Sequence, residues 1–69
     1  MLKIDRAKLD RLLSLAALNY SELARAAGLK PTTISNLING KTTPRPGTVR
    51  KITEVLDCKP ADILEEVQP

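Results

Sequence analysis

One stretch constrains the fold of this chain more than any other: residues 20–40, which read YSELARAAGLKPTTISNLING. Gly28 can adopt the positive φ of a helix C-cap, and Pro31 suits a first helical position because an N–H there has no helical partner. Apolar residues recur at helical spacing on both sides of this turn. They are Leu23, Ala24 and Ala27 before it and Ile34, Leu37 and Ile38 after it. The stretch therefore predicts two short helices joined by a tight turn, a helix-turn-helix.

The second of these helices has an outer face of uncharged polar residues. When its apolar residues point inward, the rotation of about 100° per residue turns a polar set outward. An exposed helix face without a charged residue is unusual for a surface that contacts only water. Two interpretations are open, a solvated helix or a helix that meets base edges in the DNA major groove, and the motif favours the second. The face consists of Thr32, Thr33, Ser35, Asn36 and Asn39.

The charges of the chain are distributed unevenly around its net value of +3. Residues 1–22 carry four basic and three acidic groups, and residues 54–69 carry one basic and five acidic groups. Residues 23–53 carry six basic groups and no acidic one, which gives segment charges of +1, +6 and −4. A basic segment that coincides with a helix-turn-helix is typical of a surface that binds nucleic acid. The basic residues are Arg25, Lys30, Lys41, Arg45, Arg50 and Lys51.

The motif resembles the Cro and phage-repressor type of helix-turn-helix proteins, also called the xenobiotic-response-element family. The usual pattern there is an apolar residue and alanine, glycine four positions later, an aliphatic residue six further on and another after three more. This chain has Leu23, Ala24, Gly28, Ile34 and Leu37 at those positions, followed by the sequence Asn-Gly-Lys that resembles the family's signature after its recognition helix. The resemblance covers nearly the whole chain and implies a lambda-repressor-like fold that binds double-stranded DNA.

Base reading is predicted for four residues of the outer face: Thr32, Thr33, Ser35 and Asn36. Asn36 is the strongest candidate because a side-chain amide can pair bidentately with an adenine edge. Pro31 occupies a place where relatives often carry a base-reading or phosphate-binding side chain, and it has no donor to offer. We therefore expect moderate specificity per half-site, raised by dimerisation or DNA shape.

Phosphate binding is predicted for residues at the start of the first motif helix and around the loop after the second. Tyr20 stands where relatives usually have a glutamine that holds a phosphate, and its hydroxyl either donates to phosphate or packs on a neighbouring helix. Asn39 has a similar alternative as a helix C-cap residue. The loop residues resemble the family's phosphate clamp. The full set is Tyr20, Ser21, Lys30, Asn39, Lys41, Thr42, Thr43 and Arg45.

The remaining segments predict scaffold helices. Asp5 is an expected N-cap within Met1–Leu18, Asn19 with Glu22 forms an expected capping box, and Lys3 lies on an arm that touches phosphate or frays. A fourth helix is expected from about Pro46 to Asp57 and a fifth from Pro60. Inward residues are Leu9, Leu12, Leu13 and Ala16 in the first helix, Val49, Ile52, Val55 and Leu56 in the fourth, and Ile63, Leu64 and Val67 in the fifth. The prediction is one all-α domain, residues 1–69, built as a bundle of five short helices.

Composition excludes several classes of function. The chain has no His and one cysteine, Cys58, so neither an internal disulfide nor a plausible zinc set is available, and no metal or cofactor is expected. It also lacks clustered carboxylates and a glycine-rich phosphate loop, which argues against an enzyme. No apolar run reaches the roughly 18 residues that span a membrane, and no signal peptide opens the chain. We expect a cytoplasmic, nucleoid-associated protein with no membrane partner.

The sequence thus predicts a DNA-binding transcriptional regulator, a repressor that inserts its third helix, about Pro31 to Asn39, into the major groove as a homodimer. In relatives the last helix and the loop before it form the dimer contact, which implies Cys58, Ile63 and Val67 here; burial within one subunit is the alternative. A second class of function stays open. The same fold can serve as an antitoxin or anti-repressor that holds a small protein partner, with the acidic end as its docking surface.

Overall fold

The computed structural model describes residues 1–67, which form four α-helices and a small antiparallel sheet. The helices are α1 Arg6–Ala16, α2 Tyr20–Ala27, α3 Pro31–Ile38 and α4 Pro46–Leu56. A 3₁₀ turn, Pro60–Asp62, follows α4. The strands are β1 Leu2–Ile4 and β2 Leu64–Glu66, so the two ends of the described chain meet in one sheet.

Helices α1 and α2 begin at the predicted N-cap residues. Asp5 accepts from the backbone N–H of Lys8 at 3.2 Å and caps α1. Asn19 and Glu22 form the predicted capping box at α2, with the Glu22 N–H donating to Asn19 Oδ1 at 2.8 Å and the Asn19 N–H donating to Glu22 Oε1 at 3.0 Å. Each bond satisfies a backbone donor that a helix start leaves without a helical partner. These two caps are confirmed.

The helices of the motif end in left-handed glycines. Gly28 follows α2 with φ 70°, and Gly40 follows α3 with φ 72°. In both turns the next residue bonds back to the last turn of the helix: Leu29 N–H donates to the Ala24 carbonyl and Lys41 N–H to the Asn36 carbonyl, each at 2.8 Å. This is the Schellman motif, in which backbone N–H groups donate to carbonyls that have no hydrogen-bond partner within the helix. It fixes where α3 begins and where the loop after it departs.

The core contains only aliphatic side chains, as a chain without Phe or Trp requires. Leu23 and Ala24 of α2 have no exposed surface, and α2 packs against both α3 and α4 at this point. A methyl group at position 24 lets the helix axes approach closely. The buried apolar residues are Ile4, Leu9, Leu13, Leu23, Ala24, Ile34, Leu37, Val49, Ile52 and Ile63.

The predicted fifth helix is wrong. After the 3₁₀ turn the chain becomes extended, and β2 pairs with β1 in the register Leu2↔Glu66, Lys3↔Glu65 and Ile4↔Leu64. The Asp5 N–H extends the pairing by donating to the Ile63 carbonyl at 2.8 Å. A helix of so few residues gains few hydrogen bonds after its costly first turn, whereas the extended segment finds a partner strand already held by the core residue Ile4. The fold is therefore mostly helical, with a two-stranded sheet in place of the fifth helix.

The same sheet corrects the expectation for the N-terminus. Lys3 is neither frayed nor on a free arm, because it lies in β1 and its Nζ stands 3.1 Å from Glu65 Oε1. The first helix accordingly begins at Arg6 and ends before Ala17, which adopts a left-handed φ of 56°. Ala16, predicted to face inward, is exposed because this turn closes the helix there. Within α1 the buried residues are Leu9 and Leu13.

Candidate nucleic-acid interface

Helix α3 presents the polar face that its sequence predicts. Ile34 and Leu37 are 2% and 4% exposed and hold the helix against the core. On the other side Thr32 and Ser35 are exposed, and Thr33 and Asn36 are half-buried. Ile38 is also half-buried and packs against the edge of the core. The structure thus brings the four predicted base-reading residues onto one accessible face.

A cleft of about 660 Å³ separates α3 from the loop that follows it. Thr33 and Asn36 form its α3 wall, and the loop supplies the opposite wall. No acidic residue lines it, and hydroxyl, amide and guanidinium groups are its polar groups. Such donors suit phosphate oxygens and base edges. The loop and α4 residues that line the cleft include Thr42, Thr43, Arg45 and Thr48.

The six basic side chains of residues 23–53 are all exposed. Among residues 1–67 the ion pairs are Lys3 with Glu65 and Arg6 with Asp10, so none of the six is neutralised by a carboxylate there. Lys30 is the N-cap residue of α3 and makes no side-chain capping bond, while Lys41 and Arg45 belong to the loop beside the cleft. Lys30 at the start of α3 and Lys41 and Arg45 after it therefore bring positive charge to both ends of the helix, which favours a polyanion.

Tyr20 is placed differently from the other predicted phosphate ligands. Its hydroxyl donates to Asp10 Oδ1 and so joins the start of α2 to α1, and Asp10 in turn lies 3.8 Å from Arg6 Nε. Burial, followed by the hydrogen bond and negative charge of Asp10, raises the pKa of Tyr20 above its usual 10.0. The hydroxyl has one proton, and Asp10 already accepts it. This geometry matches the alternative in which Tyr20 packs on a neighbouring helix.

Ser21 and Asn39 lie at the two ends of the α3 face. Ser21 is exposed beside Pro31 and Ser35 in a shallow depression of about 220 Å³ between the start of α2 and α3. Asn39 ends α3 with φ −90°, and its Nδ2 donates to Ser35 Oγ at 3.4 Å. The left-handed residue of this cap is Gly40, so Asn39 keeps an exposed amide beside the polar face.

Sequence reasoning overlooked Thr48. This residue is half-buried in the first turn of α4 and lines the same cleft as Asn36 and Arg45. The sequence could have indicated this position, because Pro46 marks the first residue of a helix and Thr48 is the third. A hydroxyl there lies near the backbone N–H groups that have no helical partner. The cleft therefore has a hydroxyl from α4 as well as those from the loop.

The three residues predicted for a dimer contact differ in their burial. Ile63 is fully buried in the core of its own chain, which leaves nothing of it for a second copy to contact. Cys58 and Val67 are half-buried. Burial, followed by the negative charges of Asp62 and Asp57, raises the pKa of the Cys58 thiol, so it stays protonated at neutral pH. The burial of Ile63 matches the alternative that the sequence left open, burial within one subunit.

In residues 1–67 no three His, Cys, Asp or Glu side chains come together in a way that could hold a metal ion. None of the helices there combines the length and the apolar character needed to cross a membrane.

Comparison with known proteins gives two positive results. The sequence model of the family described as Cro/C1-type HTH DNA-binding domain matches residues 8–69. In fold, the chain is similar to a crystal structure from Bacteroides fragilis reported as a "putative DNA-binding protein", with a TM-score of 0.73, 22% identity and coverage of 94% of this chain and 100% of the other. No curated protein sequence matches significantly.

Proposed function

The chain belongs to the Cro/C1-type helix-turn-helix DNA-binding domains, and we propose that it is a sequence-specific transcriptional regulator that inserts α3 into the DNA major groove. It acts as a homodimer on a pseudo-palindromic site and represses transcription by occupying that site. The role requires binding alone and no chemical step. A regulator of this kind works in the cytoplasm, on the nucleoid.

One observation supports the proposal more than any other: an uncharged polar helix face lies beside a cleft, with the exposed cations Lys30, Lys41 and Arg45 before and after it, and none of the three has a carboxylate partner in residues 1–67. Positive charge alone favours any polyanion, and uncharged hydrogen-bonding groups alone favour many ligands. Together they suit a duplex, in which phosphates flank a groove lined with donors and acceptors.

The two walls of the cleft suggest separate roles, phosphate contacts for the loop and base contacts for α3. Thr42, Thr43 and Arg45 line the loop wall and Lys41 precedes them in the loop, and we assign these residues to phosphates, which set the register. Asn36 forms the opposite wall and is placed to meet a base edge. Ser21 and Lys30 lie at the opposite end of α3 from this loop and would bind phosphates of the other groove wall. Thr32, Thr33 and Ser35 complete the base-reading face.

Fluorescence anisotropy with a labelled duplex from upstream of the protein's own gene tests this function. We expect at least tenfold tighter binding than to a scrambled duplex, since specific contacts add to the phosphate contacts that any sequence offers. Asn36→Ala should remove most of that preference, because a bidentate amide contact contributes about 1 to 3 kcal/mol of discrimination.

Ser14→Ala is the matched control for Asn36→Ala. It removes an exposed polar group from α1, away from α3 and the cleft, and should leave both affinities unchanged. Equal binding of the natural and scrambled duplexes would contradict sequence-specific recognition of that duplex. A promoter fusion then separates repression from activation, since a repressor bound to its operator lowers reporter output.

A second candidate function is capture of a small protein partner, as by an antitoxin or anti-repressor. The observation in its favour is Leu15, a large apolar side chain on α1 that is 74% exposed beside Leu12 and Ala61. Leu15→Glu should abolish co-purification of such a partner and leave DNA binding intact. DNA binding that depends on Leu15 would argue against a separate protein-binding surface there.

A further inference from the structure

A shallow apolar groove of about 450 Å³ lies between α4 and the terminal sheet, beside Leu2, Val49 and Leu64. Leu2 is 49% exposed although the apolar side chains of Val49 and Leu64 lie in the same groove. We propose that this groove is the surface on which a second copy of the chain docks, about a two-fold axis. The inference deepens the proposed function, because it names the dimer surface that a pseudo-palindromic site requires.

The register of the sheet shows which side chains face the groove. Residues paired directly across two antiparallel strands lie on the same face of the sheet, and so do residues two apart along a strand. Leu2 pairs with Glu66, and Leu2 and Leu64 both line the groove. Glu66 therefore lies on the groove face, while Lys3 and Glu65 form their ion pair on the opposite face.

The charges at the edge of the groove complement each other in the way that a two-fold contact requires. Arg50 of α4 lines the groove and carries a positive charge, and Glu66 carries a negative one on the same side. Both are exposed, and neither belongs to an ion pair among residues 1–67. In a two-fold contact, Arg50 of each copy can meet Glu66 of the other, so that both pairs form at once around an apolar centre.

The groove is also placed correctly for two copies on one duplex. Pro44 and Pro46 line it, and the same two prolines line the cleft beside α3. A dimer joined here would therefore hold its contact next to the DNA surface of each copy while leaving both α3 faces open. The longest extent of the chain is 34 Å, so two copies on half-sites whose centres are roughly 34 Å apart touch if their long axes follow the duplex.

Sedimentation equilibrium of the full chain without DNA tests the proposal. Only a few apolar side chains line the groove, so we expect a reversible dimer with a dissociation constant of roughly micromolar order or weaker. Arg50→Glu and Glu66→Arg should each weaken it at least tenfold. The double variant Arg50→Glu/Glu66→Arg should restore affinity to near the wild-type value, because both ion pairs form again with their signs exchanged.

Leu2→Glu adds a second probe, since it places a charge at the apolar centre, and Leu15→Glu is its matched control on another exposed apolar residue. We expect dimer loss for the first and no change for the second, with circular dichroism verifying the helical content of both. A wild type that stays monomeric up to about 1 mM, or a dimer indifferent to Leu2→Glu and to the charge changes, would overturn the proposal. Since no DNA is present, failure here is distinct from failure to bind an operator.

Discussion

The helix-turn-helix with its following loop and the terminal sheet differ in how their charges are used. In the sheet, Lys3 and Glu65 face each other directly across the strands and pair at 3.1 Å. Between residues 23 and 53, six exposed cations find no acidic partner in residues 1–67, and the helix face among them carries no charge at all. The sheet thus contains an ion pair within the chain, whereas the cations of residues 23–53 have no such pair and are available to a partner.

The comparison teaches that net charge is a poor guide to this protein's function, because +3 averages a basic surface with an acidic end. Acidic groups beside the α3 face would repel the phosphates that the cations attract. All the carboxylate side chains lie within residues 5–22 and 54–66, and none of them lines the cleft. The uneven distribution of acidic residues therefore favours DNA binding at the α3 face.

The largest expected effect comes from removing the unpartnered cations of the loop. We expect Lys41→Gln/Arg45→Gln to weaken binding of any duplex roughly fifty-fold at 0.1 M salt, since each phosphate contact contributes about 0.9 to the slope of log affinity against log salt. That slope, measured by anisotropy at several salt concentrations, should fall by nearly two. An unchanged slope would show that neither side chain binds a phosphate.

Substitutions at the left-handed residues that end α1 and α2 should have effects of intermediate size on the free energy of unfolding. Gly28→Ala places a methyl group on a residue with φ 70°, where nothing lies within 4 Å, so the cost is backbone strain alone. We expect the free energy of unfolding to fall by about 1 kcal/mol. Ala17 already adopts φ 56° at the end of α1, so Ala17→Gly should raise stability by up to about 1 kcal/mol. Urea denaturation measures both, and two shifts of the same sign would contradict this reading of the turns.

Substitution of Tyr20 tests whether this residue of α2 stabilises the fold rather than binding phosphate. Tyr20→Phe removes the hydrogen bond to Asp10, and we expect a loss of about 1 kcal/mol in unfolding free energy with DNA affinity unchanged. A large loss of affinity in a variant that remains folded would restore Tyr20 to the phosphate ligands.

The pKa of Tyr20 gives a second measurement on the same bond. Because it is the only tyrosine, its ultraviolet absorbance titrates without interference, and the midpoint should lie above 10.0 and fall in Asp10→Asn. A raised folded-state pKa means that this contribution to stability is present below the unfolded pKa and is lost as the pH rises through the folded one. Wild-type stability should therefore decline above about pH 10 more steeply than that of Tyr20→Phe.

The smallest expected effect is at the sheet. Lys3→Gln breaks an exposed ion pair, and we expect a change in unfolding free energy of no more than about 0.5 kcal/mol. Its DNA affinity and salt slope should equal those of the wild type, in contrast to the loop variant. A salt slope lowered by Lys3→Gln would mean that the sheet also contacts phosphate, and the distinction between the two regions would fail.

The two regions also differ in how far their structure follows from sequence. The motif was predictable because its signals are local: the Asn19 and Glu22 cap, Gly28 and the apolar spacing of Ile34 and Leu37 all act within a few residues. The sheet joins residues about 60 positions apart in the sequence. A strand of three residues has too short a hydrophobic pattern to be told apart from the short helix that Pro60 indicates. The Tyr20 bond to Asp10 and the burial of Ile63 likewise depend on packing between distant segments.

The most direct test of the central claim is a map of the DNA-bound surface by NMR. Backbone amide shifts of the wild-type chain should change on adding a duplex at α3, at residues 41–48 and at the start of α2, with little change in β1 and β2. Random-sequence DNA suffices, because phosphate contacts place the same surface on any duplex. Shifts concentrated in the terminal sheet and α1, with α3 unaffected, would contradict the account.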